Sequence, residues 1–172
     1  MRNRTRAEDD FYKTPEPCAK LIEKYLPLHE NWWECCAGDG VIFDVSDKIR
    51  LASDLNPRRS DIQTLNVLTC DKPDGVDAVV TNPPFNLADE IMERLLFEFN
   101  LPILFLVRVE FINAMKRKRL QECIHHMDIV TNLIKFETED GRIINGNGTG
   151  RCAWFYMKPQ KQKEQIVSWV SY

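Results

Sequence analysis

The chain has 172 residues, of which 44% are hydrophobic, and carries a net charge of −3 with a pI of about 5.7. This length suffices for one domain with a real core, and the charge excludes the global positive field that attracts polyanions. The sequence shows no signal peptide, membrane-spanning run, low-complexity tract or internal repeat. We therefore expect a soluble, intracellular protein that forms a single domain over residues 1–172.

Short apolar runs alternate with helical stretches, which is the pattern of a mostly parallel sheet covered by helices on both faces. About seven strands are predicted, at residues 31–36, 50–53, around 65, 77–81, 103–109, 129–136 and 152–158. Helices are predicted at residues 15–25, 42–48, 58–63, 87–99 and 111–126. The glycine-rich stretch 140–150 lacks periodicity and is predicted to be a mobile loop.

The first predicted strand ends in the loop Glu34-Cys35-Cys36-Ala37-Gly38-Asp39-Gly40, which combines glycines with carboxylates. Glycines let the backbone approach a ligand closely, whereas a loop that holds a pyrophosphate usually avoids a carboxylate at its centre. Glu34 and Asp39 therefore favour a cationic group on the ligand. The ammonium of an α-amino acid meets that demand.

Polar residues also end the second and third predicted strands. Asp54 closes the second, where an acid in nucleoside-binding folds usually accepts hydrogen bonds from both ribose hydroxyls. Asn66 ends the third and can bond an adenine edge, while Leu55 or Val67 packs on the ring. Amino acid, ribose and adenine together compose S-adenosylmethionine.

The pentapeptide Thr81-Asn82-Pro83-Pro84-Phe85 follows an apolar run with the length of a buried parallel strand. Its position at a strand's carboxyl end is where open α/β sheets bind ligands. The prolines restrict the backbone, so the Asn82 side chain and the Pro83 carbonyl become two stiff, adjacent acceptors. Beside the flat ring of Phe85 they suit a planar NH2 group on a ring or an amide, although a simple proline-rich turn is the alternative.

With these residues the chain resembles the S-adenosylmethionine-dependent amino-methyltransferases, and among them the DNA N6-adenine methyltransferases of the small phage-encoded type. The chain order also matches the group in which a Thr-Pro cofactor segment, here Phe11-Tyr12-Lys13-Thr14-Pro15, precedes the glycine loop. The resemblance implies an α/β, Rossmann-like class I methyltransferase domain without a separate target-recognition domain. It also implies a cytoplasmic protein, in a bacterial host cell if the gene is carried by a phage.

The resemblance assigns roles to individual residues. The catalytic set would be the NPPF motif, Asn82, Pro83, Pro84 and Phe85. The residues that would bind S-adenosylmethionine are Tyr12, Lys13, Thr14, Pro15, Glu34, Cys36, Ala37, Gly38, Asp39, Gly40, Asp54, Leu55, Asn66, Val67 and Asn82. The partner would be a nucleic acid, DNA first, with an adenine that is flipped out or single-stranded and stacks on Phe85. Asn66 departs from the family, which often has Asp there.

Local basic clusters offer candidate contacts to phosphates despite the acidic net charge. They are Arg2, Arg4 and Arg6, then Arg58 and Arg59, the run Lys116-Arg117-Lys118-Arg119, and Arg142 with Arg151. Arg108 and Glu110 end the fifth predicted strand, either as an ion pair or as substrate contacts, and Trp32 and Trp33 are expected to serve packing.

No metal site is expected, because the six cysteines form no C-x-x-C pair and no second cluster accompanies His125, His126 and Asp128. The cysteines are expected to be reduced core residues.

Several alternatives stay open. A glutamine amide of a protein presents the same planar NH2, although such enzymes usually have Tyr at the Phe85 position and an additional amino-terminal domain. Adenine in RNA is compatible, because nothing in the sequence reads a 2′-hydroxyl. A non-catalytic cofactor-binding subunit, with Trp169 and Tyr172 as contacts, is the last alternative. Recognition sequence, strandedness of the substrate and oligomeric state are open as well.

Overall fold

The computed structural model describes residues 13–113, 115–137, 141, 143–144 and 151–172. The strands are β1 (Trp32–Glu34), β2 (Ile49–Asp54), β3 (Gln63–Thr64), β4 (Ala78–Thr81), β5 (Ile103–Arg108), β6 (Ile124–Val130), β7 (Phe136–Glu137), β8 (Ile143–Ile144), β9 (Cys152–Met157) and β10 (Ile166–Val170). Eight of them form one sheet in the order β10-β6-β9-β5-β4-β1-β2-β3, and β7 and β8 form a small antiparallel pair.

Seven strands of the large sheet run in the same direction, and β9 runs against them. The neighbours β1, β2, β3, β4 and β5 pair in parallel, as do β6 and β10. β9 is antiparallel to both β5 and β6, between which it lies. The parallel strands therefore present their carboxyl ends at one edge, where loops from distant parts of the sequence meet.

The helices are short and lie on both faces of the sheet. They are α1 (Glu16–Lys20), α2 (Ala88–Glu93) and α3 (Lys118–Gln121), with 3-10 helices at Leu21–Lys24, Leu26–Leu28, Phe43–Val45, Val109–Asn113 and Met115–Arg117 and a π-helical turn at Arg94–Glu98. α1 packs with one buried cluster, and α2 and α3 pack with the other. This two-sided cover explains why β4 and β9 are buried at every position.

Trp32 and Trp33 show how successive side chains serve the two faces. They point to opposite sides of β1, belong to different clusters, and are both 0% exposed. Trp32 Nε1 donates to the Leu26 carbonyl at 3.2 Å, and Trp33 Nε1 donates to Ser53 Oγ at 2.9 Å. Both rings are core residues, as expected.

The predicted fold class is confirmed, but elements after β5 differ from the prediction. The predicted helix over 111–126 ends at Gln121, and the predicted strand over 129–136 is instead β6, which begins at Ile124 and ends at Val130. The sequence pattern of this strand is hard to recognise because it contains polar side chains whose partners lie elsewhere in the chain. His126 forms a hydrogen bond with Ser168, and the buried Asp128 accepts hydrogen bonds from Tyr25 and Lys24. β10 was not predicted, since its apolar residues are largely exposed.

Two short predicted helices and the predicted loop also need correction. Residues 42–48 contain only a 3-10 turn, and residues 58–63 contain turns and the start of β3. In the second case Arg59 binds Asp61 two residues later, which closes a turn in place of a helix. Residues 138–140, 142 and 145–150 of the glycine-rich region lie outside the described residues, and β8 falls within it.

Candidate active site at the carboxyl edge of the sheet

A cavity of about 550 Å³ opens where β1, β2 and β4 end. It brings together twelve of the fifteen residues predicted to bind the cofactor: Lys13, Thr14, Glu34, Cys36, Ala37, Gly38, Asp39, Asp54, Leu55, Asn66, Val67 and Asn82. Pro84 of the proline motif lines it too. The three exceptions are Gly40 and Pro15, which do not line this cavity, and Tyr12, which lies outside the described residues.

The glycine loop after β1 turns sharply around the cavity wall. The Ala37 N–H donates to the Ser53 carbonyl at 2.9 Å, and the Gly40 N–H donates back to the Ala37 carbonyl at 2.7 Å. Gly38 and Gly40 have φ of 55° and 82°, a region that disfavours side chains. A Cβ at Gly40 would lie 2.5 Å from Arg59 Nη1. Gly40 therefore shapes the loop, although it does not line the cavity.

Asp54 is fixed by backbone donors on both of its oxygens. Oδ2 accepts the Gly38 N–H at 2.8 Å, and Oδ1 accepts the Asn56 N–H at 2.8 Å. These bonds tie the end of β2 to the glycine loop and hold the carboxylate in one orientation. Because a carboxylate oxygen can accept two hydrogen bonds, each keeps capacity for a ligand hydroxyl.

Glu34 places a buried carboxyl in the cavity wall. It is 1% exposed, and no described residue donates a hydrogen bond to its Oε2. Burial raises the pKa of this carboxyl well above the ordinary value; the Phe43 N–H opposes the rise, and negative charge on Cys36, Asp39 and Asp54 adds to it. A cation that binds beside Glu34 would stabilise the ionised form of this carboxyl.

Lys13 adds a cation to the same wall. Its Nζ lies 3.2 Å from Asp39 Oδ2, and its backbone N–H donates to the Glu137 carbonyl at 2.9 Å. The wall thus carries both signs of charge, as an amino acid's ammonium and carboxylate require. Pro15 lies at the start of α1 and lines a neighbouring cavity of about 470 Å³, which the Lys13 and Thr14 side of the wall also borders.

The opposite end of the cavity is more apolar. Val67 is buried there, while Leu55 is 59% exposed at the rim. Asn66 Oδ1 accepts the Leu68 N–H at 2.9 Å, so this oxygen also organises its own loop. Arg94 supports that loop from the π-helical turn after α2, since its guanidinium donates to the Val67 carbonyl at 3.0 Å and to the Cys70 carbonyl at 2.6 Å.

The proline motif meets the Thr-Pro segment at the cavity. Asn82 Nδ2 donates to Thr14 Oγ1 at 3.0 Å, across 68 positions of sequence. This bond holds the plane of the Asn82 amide against Thr14. Pro83 is buried behind the motif.

Phe85 is the last residue of the motif; it does not line the cavity, and its ring is not an open plate. Phe136 contacts it edge-on, with centroids 6.2 Å apart at 80°, and the Arg108 guanidinium lies over it, 5.3 Å from the centroid. The expectation of a ring ready for stacking therefore needs correction, because Arg108 covers one of its faces. The sequence also allows an ion pair between Arg108 and Glu110. The described residues show no such ion pair.

The predicted basic clusters are largely engaged by other side chains. Arg59 binds Asp44 at 2.6 Å and Asp61 at 2.7 Å, and Arg58 lines the cavity. In the run 116–119, Lys116 and Arg117 both pair with Asp89, and Arg119 lies over the Phe97 ring. Arg2, Arg4, Arg6 and Arg142 lie outside the described residues, whereas Arg151 donates to the Thr131 carbonyl.

Ten residues of the cavity wall were outside the predicted catalytic and cofactor-binding sets, although Cys35 lies in the predicted loop and Arg58 in a predicted basic cluster: Cys35, Val41, Ile42, Asn56, Arg58, Leu65, Leu68, Asn86, Leu87 and Ile91. Most adjoin a predicted residue at the end of a strand, so the strand-end rule would reach them if extended by a few positions. Leu87 and Ile91 are four apart at the start of α2, a spacing that puts both on one face.

Among the described residues, no three His, Cys, Asp or Glu side chains are grouped to hold a metal ion. Within the same part of the chain, no helix is long and apolar enough to cross a bilayer.

The strand order, the single reversed strand and the cavity at the carboxyl edge define a Rossmann-like class I methyltransferase fold. Solved structures of other proteins share it, among them two that align over most of this chain. The 23S rRNA methyltransferase ErmE aligns with a TM-score of 0.56 and 14% identity over 90% of this chain and 70% of that chain. A proposed hemolysin from Lactococcus lactis aligns with a TM-score of 0.52 and 11% identity over 86% of this chain and 90% of that chain. At these identities the similarity establishes the fold. The sequence matches no protein-family model and no curated protein.

Proposed function

We propose that the cavity binds S-adenosylmethionine and that the protein transfers its methyl group to the N6 amine of an adenine in a nucleic acid. One observation carries the proposal: Asn82 and Pro84 of the NPPF motif line the same cavity as Glu34 and Asp54. A methyl donor and a planar amine must meet at such a junction, because transfer requires the two reactants in line.

The wall residues fit the donor part by part. Asp54 would accept hydrogen bonds from the ribose hydroxyls, and Glu34 and Lys13 would face the ammonium and the carboxylate of the amino acid. Leu55 and Val67 enclose the adenine, where Asn66 can bond its edge. A cavity of about 550 Å³ lies within the range of sites for ligands of this size.

Asn82 and Pro83 act on the acceptor amine. When bound, S-adenosylmethionine supplies an electrophilic methyl group on its sulfonium. The N6 lone pair is delocalised into the ring, so the protein must make it available for attack. Hydrogen bonds from N6 to Asn82 Oδ1 and to the Pro83 carbonyl favour a pyramidal nitrogen and stabilise its developing positive charge. The hydrogen bond from Asn82 to Thr14 holds the amide ready for this task.

The choice of nucleic acid is a finer proposal. The NPPF motif and the glycine loop favour DNA, through their resemblance to the small DNA adenine methyltransferases. RNA is the second candidate, and the structural similarity to an rRNA methyltransferase is the observation that favours it. In either case the base must leave the stack or be single-stranded to reach the cavity.

Transfer of labelled methyl from S-adenosylmethionine to duplex DNA, single-stranded DNA, RNA and protein tests the proposal. Label in N6-methyladenine after nuclease digestion of one nucleic acid supports it. Label only in protein would replace it with methylation of a glutamine amide, and cofactor binding without transfer to any acceptor would favour a non-catalytic subunit.

Asn82→Ala separates chemistry from cofactor binding. We expect transfer to be abolished while S-adenosylmethionine still binds, because the variant removes the amide that holds the amine and leaves the ribose and amino acid contacts. Asn31→Ala is the matched control with wild-type transfer expected, because Asn31 precedes β1 at the edge of the sheet opposite the cavity and its contact to Asp77 is made by the backbone N–H. Near wild-type turnover in Asn82→Ala would overturn the assignment of the motif.

A further inference from the structure

Arg108 ends β5 at the same edge as the proline motif, and its side chain is exposed. Its guanidinium lies over the Phe85 ring, 5.3 Å from the centroid, while Phe136 supports the ring edge-on. A base that stacks on the covered face must displace this guanidinium. The arrangement therefore couples the position of Arg108 to the arrival of an aromatic ligand.

The contact that holds Arg108 is a weak one. Cation–π contacts at exposed sites contribute little, and no described carboxylate forms an ion pair with this guanidinium. Arg59 and Arg117 differ, since each is bound by a carboxylate at 2.7 Å. Arg108 is thus an arginine at the motif whose charge is not neutralised by a described acid.

The backbone beneath Arg108 is fixed, so its side chain can move without the strand. Arg108 pairs with Cys152 in the antiparallel ladder, and the next N–H, that of Val109, donates to the Arg151 carbonyl at 2.7 Å. Strand β5 itself is buried up to Val107. A fixed strand end that carries a long side chain suits a residue that exchanges one binding partner for another.

We propose that Arg108 is a substrate-binding residue: its guanidinium leaves the Phe85 ring when the target base stacks there and binds a backbone phosphate next to that nucleotide. The inference rests on the proposed function and assigns its phosphate contact. An extruded nucleotide brings a ring and a phosphate together, so one movement satisfies both partners. The planar guanidinium matches phosphate oxygens through two parallel hydrogen bonds.

The salt dependence of binding measures this contact directly. The probe is a fluorescein-labelled single-stranded oligonucleotide with one central adenine, prepared as DNA and as RNA, and binding is followed by anisotropy. Each phosphate neutralised on a single strand contributes about 0.7 to the slope of log K against log salt. Arg108→Gln should therefore reduce the magnitude of this negative slope by about 0.7. Binding should weaken roughly five-fold at about 0.1 M salt, and the affinities of variant and wild-type protein should become equal towards about 1 M.

Two further variants make the result specific. Arg108→Lys keeps the cation and should retain the slope, while Lys72→Gln removes one charge near Phe99, before β5 begins, and should leave the slope unchanged. In turnover, Arg108→Gln should raise KM for the oligonucleotide with kcat within about two-fold, since the phosphate contact is expected in both ground and transition state.

The possible failures are distinguishable. Wild-type slope in Arg108→Gln, with wild-type protein binding and methylating the probe, overturns the role of Arg108 and leaves the proposed function intact. A slope lowered equally by Lys72→Gln overturns it as well, because the effect would then be one of net charge. If the wild-type protein binds neither probe and methylates no nucleic acid, the proposed function and this inference fail together; if it methylates only duplex DNA, the same comparison of slopes on that duplex decides the role of Arg108.

Discussion

Glu34→Gln tests the cavity most sharply, because it replaces a carboxyl by an amide of the same shape. Glu34 is 1% exposed, and burial raises the pKa of its carboxyl well above the ordinary value. The free protein therefore keeps this proton to higher pH than an exposed glutamate does. Binding of a cationic ammonium favours the carboxylate, so we expect proton release when S-adenosylmethionine binds.

The expected loss of affinity follows from the lost charge. A hydrogen bond to a charged group contributes about 1.5–3 kcal/mol, which corresponds to roughly 10- to 150-fold in Kd. Ionising a buried carboxyl costs part of this, so the lower end of about tenfold applies near neutral pH, with a larger loss as pH rises. Wild-type affinity should increase as pH rises through the raised pKa, whereas affinity of the variant should be flat.

The stability of the free protein should change in the opposite direction. A carboxyl whose folded pKa lies above its unfolded value stabilises the fold only at low pH, and that stability is lost as pH rises from about 4.5 through the raised value. Gln has no such titration. The variant should therefore match the wild-type protein in acid and exceed it in thermal stability at neutral and alkaline pH.

Isothermal titration calorimetry in two buffers of different ionisation enthalpy reports both Kd and released protons, and thermal unfolding across the same pH range reports stability. Glu30→Gln is the matched control, because Glu30 is an exposed residue paired with Lys48 at 2.9 Å. Wild-type affinity at alkaline pH in Glu34→Gln, or a less stable variant there, would refute the reasoning.

Two other substitutions separate positioning from stability. Thr14→Val removes the acceptor for Asn82 Nδ2 and alters the cavity wall, so the rate of methyl transfer should fall roughly tenfold with a smaller loss of affinity for S-adenosylmethionine, as measured by single-turnover methyl transfer and calorimetry; an equal loss of cofactor affinity would contradict this. Asp128→Asn weakens a buried network with Tyr25 and Lys24, none of which lines the cavity, and should lower the free energy of unfolding by about 1–3 kcal/mol in denaturant titrations. Unchanged stability would show that the network contributes nothing.

The sequence predicts the lining of the cavity better than it predicts the elements, because several lining residues stand where a strand ends. Glu34, Asp54 and Asn82 can be located from local patterns, since a hydrophobic run ends and a polar residue follows. The topology then places those ends side by side. No knowledge of long-range contacts is needed for that step.

What the sequence does not predict depends on partners far along the chain. β6 contains Asp128, whose partners Lys24 and Tyr25 are more than 100 positions away, so its strand pattern is hidden. The basic run at 116–119 reads as a phosphate site until Asp89 is found beside it. Arg108 shows the reverse case, because its position over Phe85 is set by tertiary contact alone.

The placement of β9 has a consequence for how the chain is made. β9 lies between β5 and β6 in space, yet residues 152–157 are synthesised after both. Until these residues emerge, β5 and β6 each have an edge without a partner strand, beside apolar side chains that are buried in the folded protein. An intermediate of this kind tends to aggregate or to recruit chaperones. Interruption of synthesis before Cys152 should therefore leave β6 detached from the rest of the sheet, because both of its neighbours, β9 and β10, come later in the chain. Folding of the whole chain should be slow for its length.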